Sequence, residues 1–160
     1  MTIQVGDRLP SATLTIMTAE GPKPLTTTEL CEGKKVVLFA VPGAFTPTCS
    51  VQHLPGYVDN AQSLKDKGVD TVACVSVNDP FVMGAWGKDR EVGEDLMMLS
   101  DGNGDFTAAI GLEMDGSGFG LGTRSQRYAM IIDDGVVSTL NVESGPGLDV
   151  SSAETILSEL

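Results

Sequence analysis

The sequence predicts an α/β sandwich built on one mixed central sheet flanked by helices, and three observations predict it. An apolar run rich in β-branched residues, Lys34–Val41, is followed by a helical stretch and then by a second such run, Val69–Val77. Two further apolar runs, Tyr128–Ile132 and Val136–Val142, flank Asp133-Asp134-Gly135, a hairpin signal. A strand–helix–strand unit pairs its strands in parallel through a right-handed crossover, whereas a hairpin pairs them antiparallel, so the sheet carries both.

Each element has its own local reason. Lys34–Val41 is continuously apolar and stops at Pro42-Gly43, as a strand buried on both faces does. In the helical stretch Val51, Leu54, Val58, Ala61 and Leu64 are spaced to line one face, with Gly68 as the stop. Pro55-Gly56 interrupts it and predicts a kink or break there. Asn78-Asp79-Pro80 opens another helix, a cap residue followed by proline at the first helical position. Leu96–Leu99 is a short apolar run, Asp101-Gly102-Asn103-Gly104 a turn, and Phe106–Ile110 a short helix. Ser151-Ser152-Ala153-Glu154 resembles a capping box opening a last helix that runs to Leu160. This order is similar to that of a thioredoxin-like fold.

Length and charge bound the function. A chain of 160 residues with 41% apolar content is one domain by size, spanning 1–160, with material for a proper core. A formal charge of −12 with no Lys/Arg cluster argues against nucleic acid, which needs a basic patch. No segment approaches the ~20 apolar residues needed to span a bilayer, and the first residues, MTIQVGDR, do not read as a secretory signal. Three cysteines without a framework of spacings point to a reducing compartment, cytoplasmic by default, or an organellar matrix if a transit peptide has been removed. The acidic scatter of Asp101, Asp105, Glu113, Asp115, Asp133 and Asp134 lacks the spacing of a calcium loop and reads as solvated surface.

The chemistry concentrates after the first predicted strand. Open α/β sheets place ligands at the carboxyl ends of strands, and here that loop is PGAFTPTC, Pro42–Cys49. Thr46 followed by Pro47 reads as an N-cap and first helical residue, which puts Cys49 in the first turn among unpaired N–H groups. That helix end favours a thiolate by roughly 0.3–1 kcal/mol, or ~2 if partly buried, against ~1.4 kcal/mol per tenfold in population. Complete ionisation raises the thiolate fraction of an ordinary cysteine only about thirtyfold, roughly 2 kcal/mol. Further donors must therefore stabilise the transition state.

PGAFTPTC is similar to the active-site signature of the peroxiredoxins, in the form of their type II (type 5) branch. The resemblance continues through Cys49–Gly56, recurs at Val75–Met83 with Ala85-Trp86, and again at Gly120–Tyr128, so it spans nearly the whole chain in order. It implies a thiol peroxidase that reduces hydrogen peroxide and alkyl hydroperoxides with no metal, flavin or haem. It also implies roles for Pro42, which covers the nucleophile, Thr46, which orients the peroxide, Cys49, which attacks it, and Arg127, which supports thiolate and transition state. Arg127 is chosen over Arg124 because it immediately precedes the aromatic that opens the next strand; Arg124 is left as a supporting or a surface residue. His53, on the same helix as Cys49, is read as a packing or supporting group before a general base.

Regeneration of the cysteine is the open step. Cys74 is the obvious resolving partner, yet it lies in a predicted core strand, VACVSV, where a structural role has the better claim. The carboxyl-terminal segment GLDVSS, where some relatives carry a resolving cysteine, has none. Cys31, between acidic neighbours, is read as incidental. The favoured cycle uses one cysteine with glutathione as co-substrate and glutaredoxin as partner; thioredoxin is the competing reductant, and a redox sensor acting through oxidised Cys49 the competing role. Relatives pair near their active-site loops, so the resemblance also implies a homodimer. Trp86, Phe45 and Phe81 are read as core or interface residues, and Phe119 as an exposed loop aromatic.

Overall fold

The computed structural model describes residues 1–160. A seven-stranded mixed sheet runs through it, in the order β2-β1-β5-β4-β3-β8-β9. The strands are β1 (Thr13–Thr18), β2 (Gly21–Thr26), β3 (Lys35–Ala40), β4 (Thr71–Ser76), β5 (Met97–Ser100), β8 (Tyr128–Asp133) and β9 (Val136–Val142). A separate ribbon pairs β6 (Glu113–Asp115) with β7 (Thr123–Ser125). The helices are α1 (Thr27–Cys31), α2 (Leu54–Asp66), α3 (Pro80–Asp89), α4 (Asp105–Ile110) and α5 (Ala153–Ser158). β3, β4 and β5 are parallel neighbours, while β8 runs antiparallel to both β3 and β9. This is the mixed sheet the sequence predicts, thioredoxin-like in its order.

β3 sits centrally and is buried on both faces. Val37, Phe39 and Val41 join one apolar cluster, with Leu54, Tyr57, Leu64 and Trp86; Val36, Leu38 and Ala40 join another, with Leu14, Phe106 and Met130. The turn from β8 to β9 has Asp134 at φ 49° and Gly135 at φ 83°, as a two-residue hairpin turn with right-handed strand twist requires. No helix is long and apolar enough to cross a membrane.

Several elements depart from the sequence expectation. The β1–β2 hairpin is not anticipated, because Pro22 and Pro24 speak against a strand; β2 lies at the sheet edge, where a missing N–H disturbs no ladder. Val51 is 67% exposed, and Tyr57 takes its place on the buried face of α2 with Leu54, Ala61 and Leu64. The irregularity assigned to Pro55 falls one turn earlier, as a wide π turn over Cys49–His53 in which Leu54 N–H reaches Cys49 O. That turn ends just before the residue that has no N–H to donate. The cap of α5 is Ser152, whose hydroxyl accepts from Thr155 N–H; Ser151 is buried instead. Asp101 is not solvated surface but buried, and its carboxylate accepts from Phe106 N–H, Thr107 N–H and the Thr107 hydroxyl, fastening the first turn of α4.

Candidate active site

β3 delivers the chain into a loop that three neighbours hold in place. The Ser76 hydroxyl at the end of β4 donates to Val41 O at 3.0 Å, and Ala44 N–H donates to Asn78 Oδ1 at 3.0 Å. From the other side Arg124 donates through Nε to Leu121 O at 2.9 Å and reaches Pro42 O with Nη1 at 3.4 Å. Gly43 fits closely beneath that guanidinium: a Cβ there would lie 3.1 Å from Arg124 Nη1 and from Thr46 Cγ2, so either side chain would have to shift. Phe45 holds φ 65°, a conformation unusual for a bulky residue, and so turns the chain toward Thr46.

Helical structure then begins at Pro47, with Ser50 N–H donating to Thr46 O at 2.9 Å. The Thr46 hydroxyl does not cap this end. It donates to Gly43 O at 2.7 Å, which leaves its lone pairs free to accept. Cys49 follows in the first turn, its side chain buried within the cluster that includes Phe39 and Tyr57. Ser50 accepts from Trp86 Nε1–H at 3.0 Å, so α3 is tied to the residue after the cysteine.

Strand period and strand direction bring the arginine to the sulfur. Ala40 pairs with Tyr128 in antiparallel register, so β8 starts beside the carboxyl end of β3. Alternation sends Tyr128 to one face, and Arg127 with Ala129 and Ile131 to the face that carries Cys49. Arg127 Nη2 donates to Cys49 Sγ at 3.1 Å, and Nη1 lies 2.8 Å from His53 Nδ1. His53 Nε2 lies 3.0 Å from Ser151 O, a group that can only accept. Nε2 therefore carries the proton and Nδ1 the lone pair that receives Arg127. Burial, followed by the adjacent Arg127 charge, lowers His53 to a pKa of about 3, so the imidazole is neutral at ordinary pH and is not poised as a general base there.

The structure thus brings Arg127 onto Cys49, with His53 behind Arg127 and Arg124 on the loop backbone; Pro42 lines a cavity with Arg127, and Thr46 stands one turn before Cys49. Cys74 lies in the same cluster, fully buried on β4, and burial, followed by the nearby Cys49, pushes its thiol well above the ordinary cysteine value. Cys31 packs in the cluster on the other face of the sheet; its pKa is raised to about 11 by burial, with Lys34 opposing, and not by the acidic neighbours the sequence suggested. Sequence reasoning assigned no part in the site to Ser76 and Asn78, although both stand inside the Val75–Met83 block, nor to Ser50 and Glu143, and it read Ser151 only as a helix cap.

The chain matches the family described as Redoxin over residues 4–157. It is 52% identical to Peroxiredoxin-2E, chloroplastic, of Arabidopsis thaliana over 99% of this chain and 69% of that protein. It is 48% identical to Peroxiredoxin-2B of the same plant over 99% of this chain and 98% of that one. The chain belongs to the peroxiredoxin family. Among solved structures, reduced Prx3 of Vibrio vulnificus in complex with hydrogen peroxide superposes with a TM-score of 0.95 at 60% identity, over 99% of both chains. As a type II peroxiredoxin the protein is a thiol peroxidase, and its Cys49 is a buried sulfur that receives a fixed guanidinium.

Proposed function

We propose that Cys49 is the peroxidatic residue of this peroxidase, acting on hydrogen peroxide and organic hydroperoxides, and that glutathione with glutaredoxin returns it to the thiol. One observation carries the first part: Arg127 Nη2 is 3.1 Å from Cys49 Sγ while the Thr46 hydroxyl, donating to Gly43 O, keeps lone pairs to accept a peroxide hydrogen. The thiolate sulfur attacks one peroxide oxygen along the O–O axis, and that bond breaks. The sulfur is oxidised to sulfenate or sulfenic acid, and the departing oxygen leaves as water or alcohol with a proton. Pro42 shields the sulfur, and Arg127 donors meet the charge that grows on the departing oxygen.

The burial of Cys74 on β4 supports external regeneration. A glutathione thiol condenses with the sulfenic acid and releases water; a second thiol, from glutaredoxin or glutathione, takes the adduct and frees Cys49. The cycle uses no bound cofactor. Three free thiols support a reducing compartment, cytoplasm or organellar matrix. Two exposed aromatics, Phe45 on the active-site loop and Phe81 at the start of α3, support pairing as a homodimer beside that loop.

Intact mass after one equivalent of peroxide and excess glutathione tests the cycle. A glutathione adduct, absent from Cys49→Ser, is the expected product. Loss of two hydrogens without an adduct replaces this cycle with an internal disulfide recycled by thioredoxin.

A further inference from the structure

Arg127 is buried, and no ion pair involves it. A carboxylate placed directly on the guanidinium would neutralise it and compete with Cys49 for its donors. Its orienting partner is instead the neutral His53, whose Nδ1 accepts from Nη1. That arrangement works only while the imidazole keeps its proton on Nε2 and its ring in place, and both depend on Ser151 O, which also accepts from the Tyr57 hydroxyl at 2.8 Å.

Ser151 lies on the segment joining β9 to α5, and a single carboxylate folds that segment back. Glu143 Oε2 accepts from Ser151 N–H at 2.8 Å, from the Ser151 hydroxyl at 2.6 Å and from Asp149 N–H at 2.9 Å. Glu143 N–H donates to Arg127 O at 2.9 Å, so both ends of the strap are referred to the arginine. Partial burial works against the Glu143 charge, but these hydrogen bonds outweigh it and hold the carboxyl below its ordinary range. Between these ties the strap exposes Ser144, Gly145, Pro146 and Gly147.

We infer that Glu143 is a positioning residue for the peroxidase reaction, fixing Ser151 O so that His53 presents Nδ1 to Arg127 and Arg127 is held on Cys49. The inference rests on the proposed role of Cys49 and adds a residue that never touches the reacting atoms. Charge at Glu143 is not what it supplies; an oxygen acceptor at this point of the strap is. Gln therefore substitutes and Ala does not.

The chain has a single histidine and a single tryptophan, so both readouts are unambiguous. ¹⁵N NMR of the imidazole reports the tautomer, and Trp86 fluorescence, beside Ser50, follows peroxide reaction in stopped flow. Wild type is expected to show the Nε2–H tautomer. Glu143→Ala is expected to mix the tautomers and to slow reaction with hydrogen peroxide roughly ten- to a hundredfold, as displaced reacting groups do. Glu143→Gln is expected to keep the tautomer and stay within about threefold of wild type, since its carbonyl oxygen replaces Oε2 as acceptor. Ser151→Ala, which removes one of the three hydrogen bonds and keeps the carbonyl, carries the test if Glu143→Ala does not fold, and is expected to fall between the two. A folded Glu143→Ala or Ser151→Ala with wild-type rate and tautomer overturns the inference, as does Glu143→Gln behaving like Ala. If wild type itself reacts no faster than Cys49→Ser, the peroxidatic assignment fails instead.

Discussion

Arg127 Nη2 stands 3.1 Å from Cys49 Sγ, and the contact is made inside the protein, with Arg127 buried and the sulfur fully so. In such surroundings a fixed guanidinium stabilises developing negative charge far better than it does in water. Arg127→Lys keeps the charge but loses the fork that serves sulfur and imidazole together. We expect the second-order rate with hydrogen peroxide to fall about a hundredfold or more. Stopped-flow fluorescence of Trp86 measures it, and a lysine variant within threefold of wild type would remove Arg127 from the mechanism.

His53 gives the fold an acid sensitivity with a definite window. Its pKa is lowered from 6.5 to about 3 by burial and by Arg127, so between those values the unfolded chain binds a proton that the folded one does not. Stability from this group is therefore complete above the unfolded value and is lost as pH falls below it, by up to ~1.4 kcal/mol per pH unit. Urea denaturation at pH 7.0, 6.0, 5.0 and 4.5 should show wild type losing stability faster than His53→Gln on acidification. Parallel losses in the two proteins would sink the assignment.

How much of this was legible follows from where each signal lives. β3, β4 and the β8–β9 hairpin are written as apolar runs and turn residues, and the loop PGAFTPTC carries its likeness in eight consecutive positions. The nearness of Arg127 to Cys49 is written nowhere locally. It depends on the antiparallel register of Ala40 with Tyr128, which no spacing along the chain specifies. The tie of Ser151 O to His53 is hidden for the same reason, because the two residues stand 98 positions apart. Asp101 looks like surface in the sequence because an acidic residue beside Gly102-Asn103-Gly104 resembles an exposed turn, and only the packing of α4 shows its carboxylate turned inward.

Asp101 accordingly yields a stability prediction. Its two carboxylate oxygens accept three hydrogen bonds from the first turn of α4, at 3.1, 2.8 and 2.6 Å. Asp101→Ala leaves those donors unpaired beside the core and should cost about 3 kcal/mol, while Asp101→Asn, which keeps one oxygen, should cost less. Chemical denaturation ranks the two variants. A neutral Asp101→Ala would mean that water takes over the capping at no cost.

Cys74 decides between the two ways of closing the cycle. It lies in register with Phe39 on β3 and Met98 on β5, so its strand is hydrogen-bonded on both edges, and the residue is fully buried. Burial also raises its thiol well above the ordinary range, which removes the thiolate needed to attack a sulfenic acid. Cys74 would have to attack the sulfenic acid as a buried, neutral thiol, whereas a small external thiol needs only the sulfenic acid to become accessible. Cys74→Ala should therefore lose about 1 kcal/mol of stability from the small void it leaves, yet turn over peroxide at the wild-type rate with glutathione and glutaredoxin. Loss of that turnover in a folded variant, together with a Cys49–Cys74 disulfide in oxidised wild type, would show that the sulfur at 74 is the one that closes the cycle.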